Sequence, residues 1–272
     1  MGFITFLPDQ PLIWNIIIGV VAALIYVKGT IFLMDRMVSQ EKLSSDLSRK
    51  IIHIAAGSYL WVWLFIDTSD NFSYLLNIAV PLLFFGTFLF KGNRASSDDP
   101  DVKTMSRTGD PKELLKGPLY FTVIMMIAGS LLFGSYAGMF MMAIVGWGDG
   151  IAPYIGKKYG KRTYKTFGRE KTLEGSLGFF SFAVLGSLFF WIFLGVLGGF
   201  GTELVLANPG VGLLEIVIVI LLCSLVATIV EALSPADIDN LLIPASTIIT
   251  LIAVDLFLFA GATFVLIKIP FI

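Results

Sequence analysis

The sequence predicts an all-α membrane protein, a polytopic bundle of about eight helices that cross a bilayer. Three observations lead there. Only 14% of the residues are charged and 56% are hydrophobic, whereas a soluble chain carries about 25% charged residues. Long uncharged runs recur along the chain. The basic residues fall in alternate connections between those runs.

The runs are Pro11–Val27, Ile51–Ile66, Phe72–Phe90, Pro118–Trp147, Leu177–Gly201, Val211–Val230 and Leu241–Ile267. A helix needs about 20 apolar residues to cross a bilayer. Pro118–Trp147 is too long for one crossing and breaks near Gly134-Ser135, so it supplies two spans. Span 1 continues to about Leu33, with Lys28 near its end and able to extend its ammonium to the interface. No basic region of a secretory signal precedes it, so it reads as a retained span. Residues 1–272 read as one integral membrane domain.

Loops 1–2, 3–4 and 5–6 carry four, six and seven Lys or Arg residues, seventeen of the chain's nineteen. Loop 2–3 (Asp67–Asn71) carries none, and loop 6–7 (Phe200–Gly210) has only Glu203. Short basic loops stay cytoplasmic. Both termini then lie outside, and loop 7–8 lies inside. Ala95–Pro111, rich in Ser, Asp and Pro, reads as mobile. The single Cys223 has no partner for an internal disulfide.

The chain is organised around Val145–Ser176, where an apolar segment runs into a carboxylate, a ladder of glycines and dense positive charge. Asp149 lies within span 5. A charge there costs about 2.5–3.5 kcal/mol on insertion scales, so it faces the protein interior and has a task. Asp149, Ala152 and Gly156 share one helical face, which leaves room for something bulky. The plainer account is that Gly148, Ala152 and Gly156 permit close helix packing, with Asp149 paired to a lysine. The loop that follows places Lys157, Lys158, Lys161 and Lys171 among Gly156, Gly160 and Gly168. Backbone N–H groups brought close by glycine, together with mobile ammonium groups, suit a polyphosphate. Attraction to anionic lipid is the alternative.

Loop 7–8 brings Glu231, Asp237, Asp239 and Asn240 to the same membrane face as Asp149 and Glu174. Mg²⁺ takes one or two carboxylates together with substrate phosphates. Asp237 serves equally as a cap of span 8, since negative charge favours a helix N-terminus, whereas Asp239 and Asn240 read as functional. Lys50 and the lone His53 are i, i+3 neighbours at the start of span 2. A single histidine at a membrane interface is more often a structural donor than a base. The familiar soluble nucleotide motifs, the GxSxG elbow and zinc-ligand spacings are all missing.

Four fragments in order, LSRKIIHIAAG, GDGIAPYIGKKYG, GREKTLEGS and EALSPADIDNLLIPAS, resemble the CTP-dependent lipid-alcohol kinases. That family comprises dolichol kinase, phytol, farnesol and geranylgeraniol kinases, and the CTP-using diacylglycerol kinase of fungi. The resemblance covers about Leu47–Ser246, and Glu113–Tyr120 match as well. The family's Gly-Asp pattern falls on Gly148, Asp149, Ala152, Gly156 and Gly160. Its Lys-Thr-Leu-Glu-Gly-Ser pattern falls on Lys171, Thr172, Leu173, Glu174, Gly175 and Ser176. Its Arg-Lys-His pattern falls on Arg49, Lys50 and His53, and its late acidic pattern on Glu231, Asp239, Asn240 and Pro244.

The resemblance implies transfer of the γ-phosphoryl of Mg²⁺-bound CTP to a membrane-embedded isoprenoid alcohol such as phytol, geranylgeraniol or dolichol, or to a diacylglycerol. The partners are then a nucleoside triphosphate, a lipid alcohol and membrane lipids, with no nucleic acid. Mg²⁺ falls to Asp149 and Asp239, assisted by Asn240 or Glu174, with Glu231 beside them. The phosphates fall to the lysines of loop 5–6, together with Gly156, Gly160, Gly175 and Ser176. Asp149 or His53 orients the hydroxyl, with Lys50 adjacent, and the aromatic, Gly-rich spans 6 to 8 offer shelter for the lipid. The compact length favours the phytol and geranylgeraniol kinases. A cytidylyltransferase forming a CDP-lipid is the alternative, and a transporter with intramembrane carboxylates is a third reading. The absence of an organellar targeting peptide points to a prokaryotic cell membrane, with the active site on its cytoplasmic face.

Overall fold

The computed structural model describes residues 12–65, 73–167, 169–198, 212–235 and 238–259. The expected loops 2–3 and 6–7, both termini, Asp237 and Gly168 lie outside the described residues. The rest is a helix bundle. α1 is Leu12–Ser39, α2 Ser45–Gly57, α3 Ala79–Arg94, α4 Pro100–Met105 and α5 Gly117–Gly129. α6 (Tyr136–Ala143) runs through a π-helical segment, Ile144–Asp149, into α7 (Gly150–Tyr159). α8 is Leu173–Gly198, α9 Leu213–Leu233 and α10 Asp239–Val254. Three 3-10 stretches, Ser58–Phe65, Ser73–Ile78 and Pro111–Leu115, extend α2, lead into α3 and lead towards α5.

Five helical segments are long and apolar enough to cross a membrane: Ile17–Ser39, Leu75–Arg94, Leu173–Gly195, Leu213–Leu233 and Asp239–Phe257. They correspond to expected spans 1, 3, 6, 7 and 8. Expected spans 2, 4 and 5 are helical in their expected places, but shorter or more polar. α5 has 13 residues, about 20 Å of helix, and α6 has eight, every one buried. These inner rods are wrapped by protein, so they do not have to match the bilayer thickness.

Local chemistry sets the ends. Ser44 caps α2 by accepting from the Leu47 N–H, Asp99 caps α4 ahead of Pro100, and Ser135 caps α6 by accepting from the Gly138 N–H. The expected break at Gly134-Ser135 is there, and Gly134 takes φ +69° to make it.

Basic loop 5–6 folds into a two-stranded antiparallel hairpin, β1 (Thr163–Thr166) and β2 (Arg169–Thr172), with Thr163 opposite Thr172 and Lys165 opposite Glu170. The sequence predicts a loop there. Thr and Tyr favour a pleated surface, and the hairpin rests on the α9 end, where the Thr166 hydroxyl donates to the Ala232 carbonyl at 2.7 Å. The expected mobile stretch 95–111 is also held down. The Lys91 ammonium bonds Asp99 and Asp101 at 2.9 and 2.6 Å, Thr104 donates to Asp35 at 2.8 Å, and Arg49 donates to the Ser106 carbonyl at 3.1 Å.

The central rod packs through glycine. Gly57 of α2 and Gly146 of the π-helical segment meet backbone to backbone, and a methyl on either would overlap the other's Cα. On the opposite side, Gly186 of α8 admits the Trp147 indole, which stacks on Phe189 at 5.5 Å. The aromatic residues of span 6 are thus partly consumed by packing on Trp147. Gly57→Ala is expected to cost about 1–3 kcal/mol by forcing the helices apart. Combining it with Gly146→Ala should cost less than the sum, because one separation admits both methyls. Thermal unfolding midpoints of the two single variants and the double variant check this.

Candidate active site

A cleft of about 250 Å³ opens between α1, α2, α3 and α5. Its two ends differ in chemistry. Val27, Ile31, Val80, Phe84, Phe88 and Met125 line one end, and Lys50, Arg107, Lys116, Asp149, Asp239 and Asn240 line the other. His53 and Phe121 stand between, their rings 4.7 Å apart. A lining that is apolar at one end and charged at the other suits an amphiphile with a polar head.

The π-helical segment delivers Asp149 to this cleft. Such segments are rare and concentrate at functional sites. His53 sits one helical turn before Gly57, so the Gly57–Gly146 crossing brings it onto the segment. Its Nε2 lies 3.2 Å from the Val145 carbonyl oxygen and 3.4 Å from Asp149 Oδ2. A carbonyl only accepts, so Nε2 carries the hydrogen and faces two acceptors. Gly150 makes the approach possible, because a methyl there would stand 2.6 Å from Ile54 Cγ1 and 3.3 Å from His53 Cδ2.

Asp239 and Asn240, at the start of α10, reach the same polar end. Asn240 is buried, and its Oδ1 has no hydrogen-bond partner. An orphaned buried amide oxygen in a cleft that Asp149 and Asp239 also line fits a cation that takes oxygen ligands. Among the described residues no three His, Cys, Asp or Glu side chains stand close enough to hold a metal alone. A Mg²⁺ ion here would draw its remaining ligands from phosphate and water.

The other expected site residues lie elsewhere. Lys171 and Glu231 bond to each other: Nζ is 2.8 Å from Oε1, with the side chains 13% and 10% exposed, and it also donates to the Glu231 carbonyl. Glu231 remains within electrostatic range of Asp149 and Asp239. Glu174 accepts from the Lys161 and Arg162 N–H groups at 3.0 and 3.2 Å, which ties the hairpin's approach to the start of α8. Gly156, Gly160 and Gly175 form the seam around Thr172 where α7 meets α8. Ser176 shares a 2.5 Å hydrogen bond with Tyr164. Lys158 lies over the Tyr154 and Tyr159 rings. Lys157 is exposed and stands 3.7 Å from Asp46, and Lys161 is exposed. None of these lines the cleft. The room beside Asp149 comes from Gly150 rather than from Ala152 and Gly156.

Sequence reasoning passed over Arg107, Lys116 and Glu113 as site residues. All three line the cleft. The signal available was the density of charge in loop 3–4, which fragment Gly109–Pro118 carries straight into α5.

Proteins similar to this chain are named by what they phosphorylate. It is 31% identical over 217 residues, 78% of this chain and 68% of the relative, to a Glycine max protein described as probable phytol kinase 1, chloroplastic. It is 30% identical over 219 residues to its Oryza sativa counterpart, covering 79% of this chain and 66% of that protein. The Arabidopsis thaliana phytol kinase 1, chloroplastic, is 29% identical over 222 residues, 79% of this chain and 68% of that one. These are plant chloroplast proteins, which does not fit the prokaryotic cell membrane expected from the sequence. No family model matches the chain, and no solved structure does.

Proposed function

The chain belongs to the phytol kinase family, and from that membership we propose that it transfers the γ-phosphoryl of Mg²⁺-bound CTP to the hydroxyl of an isoprenoid alcohol, with phytol as the first candidate. The observation that carries this reading is the two-ended cleft with Asp149 and His53 at its polar side. The alcohol enters between α1 and α3 with its chain along Phe84, Phe88 and Met125. Its hydroxyl then meets Asp149. The site faces the side of the bundle that carries the three basic loops, the cytoplasmic side by the distribution of charge.

Phosphoryl transfer asks a protein mainly for positioning and charge stabilisation. The hydroxyl donates its hydrogen bond to the Asp149 carboxylate. The alcohol oxygen bonds to the γ-phosphorus as the bond from that phosphorus to the β,γ-bridging oxygen breaks. CDP leaves, and the hydroxyl proton passes to Asp149. His53 holds Asp149 by donating from Nε2, so its part is orientation. Asp239 and Asn240, together with Asp149, would hold Mg²⁺, which neutralises charge developing on the phosphate oxygens.

Purified protein with phytol, Mg²⁺ and CTP labelled on the γ-phosphate tests the reading. The expected result is label in phytyl monophosphate with CDP left behind, abolished by EDTA. Label released as pyrophosphate, and only when a lipid phosphate is supplied, would move the chain to the cytidylyltransferases.

A further inference from the structure

The cleft's polar end carries more positive charge than its own residues neutralise. Arg107 is exposed, and among the described residues its guanidinium has neither a hydrogen bond nor an ion pair. The loop that presents it is nonetheless built with care. The Glu113 carboxylate accepts from the Arg107 N–H, from the Ser106 hydroxyl at 2.9 Å and from the Thr108 hydroxyl at 2.9 Å. Ser106 Oγ in turn accepts from the Gly109 N–H at 2.8 Å, where Gly109 takes φ +83°. Burial raises the Glu113 carboxyl, but these hydrogen bonds outweigh it and hold it below the ordinary carboxylate range. Arg49 fastens the loop to α2 through the Ser106 carbonyl at 3.1 Å. A loop whose polar groups bond inward, around one arginine left open to a cleft, is a holder for that arginine.

Lys50 stands beside it. It is half-buried in the middle of α2 and lines the same cleft. No carboxylate among the described residues lies within ion-pair distance of it. Burial pulls its ammonium below the ordinary lysine range, partly offset by Asp149 and Asp46, and Arg107 and Arg49 repel it. Lys50 and Arg107 line the same cleft without a carboxylate paired to either among the described residues, and that leaves a place for an anion between them.

We propose that Arg107 and Lys50 form the subsite that grips a terminal phosphoryl group. The ligand chemistry is a phosphate dianion, supplied by the donor nucleotide or carried by the phosphorylated lipid. The guanidinium fork suits two phosphate oxygens at once, and the ammonium supplies a point charge. The proposal rests on the kinase reading for the identity of its ligand, and it places the phosphate grip on α2 and the loop before α5.

The test is calorimetric binding to full-length protein in lipid nanodiscs. The probes are inorganic pyrophosphate, CTP, phytyl monophosphate and phytol. Arg107→Gln removes a charge-assisted hydrogen-bond donor, so it should weaken the phosphate probes roughly 10- to 100-fold and leave phytol within twofold. Arg107→Lys should recover part of the loss, and Lys50→Gln should show the same pattern as Arg107→Gln. Lys103→Gln, an exposed residue paired with Asp98 on the same loop, should change nothing. A loss confined to CTP assigns the grip to the donor, a loss confined to phytyl monophosphate assigns it to the product, and equal losses assign it to the group in transfer. If Arg107→Gln binds every phosphate probe as the wild type does, the subsite is refuted. Pyrophosphate binding needs no turnover. A wild type that makes no phytyl phosphate, yet loses pyrophosphate on Arg107→Gln, would overturn the kinase reading and leave the anion subsite standing.

Discussion

Asp149→Asn is expected to lower phosphoryl transfer by about 10²–10⁴-fold with the fold intact. The substitution keeps the shape of the side chain and its acceptor oxygen for His53 Nε2–H, 3.4 Å away in the native protein. On the proposed mechanism it removes the negative charge that receives the hydroxyl proton and contributes to the metal, and positioned proton transfer contributes about 10²–10⁴-fold. If the carboxylate also serves the metal, as proposed, the Mg²⁺ concentration for half-maximal rate should rise. Turnover at saturating phytol and CTP, measured beside a thermal unfolding curve, separates this loss from instability. His53→Gln keeps a donor towards Asp149 and should lose about tenfold or less. If His53→Gln instead lost as much as Asp149→Asn, proton transfer would belong to the histidine. If Asp149→Asn kept turnover within a few fold, both roles assigned to Asp149 would be wrong.

Lys171→Met is expected to destabilise the protein by about 3–5 kcal/mol. The Lys171 ammonium and the Glu231 carboxylate meet at 2.8 Å with little access to water. Removing one partner leaves a buried charge uncompensated, whereas removing both does not. The double variant Lys171→Met with Glu231→Gln should therefore recover part of the loss. Unfolding midpoints of the three proteins check this. A lysine that held substrate phosphate instead would leave the midpoint unchanged and weaken CTP binding. The pair fastens the hairpin to the end of α9, a few residues before Asp239 and Asn240 at the start of α10.

The bundle was legible because hydropathy and charge are written locally. Among the described residues each apolar run is helical, and the break at Gly134-Ser135 carries its own signal in a glycine followed by a capping serine. The inner rods were less legible. α6 is buried by its neighbours, and nothing in Tyr136–Ala143 alone says whether lipid or protein surrounds it. The π-helical segment was not legible either, since its six residues read the same at either helical pitch. It carries Asp149, so the local geometry of the site was hidden while its central residue was plain.

Of the cleft's acidic and histidine residues, Asp149 is marked by its cost in a membrane, Asp239 by the acidic cluster of loop 7–8, and His53 by the Arg-Lys-His pattern of the resemblance, while Glu113 carries no such mark. The lysines of loop 5–6 were also found, but their placement depends on contacts far along the chain. Lys171 meets Glu231 sixty residues away, and Gly156 and Gly160 serve the α7–α8 seam. Arg107 escaped notice for the converse reason. Its loop looks like an ordinary polar connection until Arg49, 57 residues before Ser106, ties it over the cleft.

One measurement tests most directly where the alcohol sits. A phytol analogue with a photoreactive diazirine in its chain is bound to the protein in nanodiscs and irradiated, and the adducts are mapped by mass spectrometry. The account predicts adducts on the apolar end of the cleft, at Phe84, Phe88, Phe121 or Met125, suppressed by excess phytol. Adducts that phytol suppresses on α8, α9 or α10, with the cleft unmarked, would contradict it.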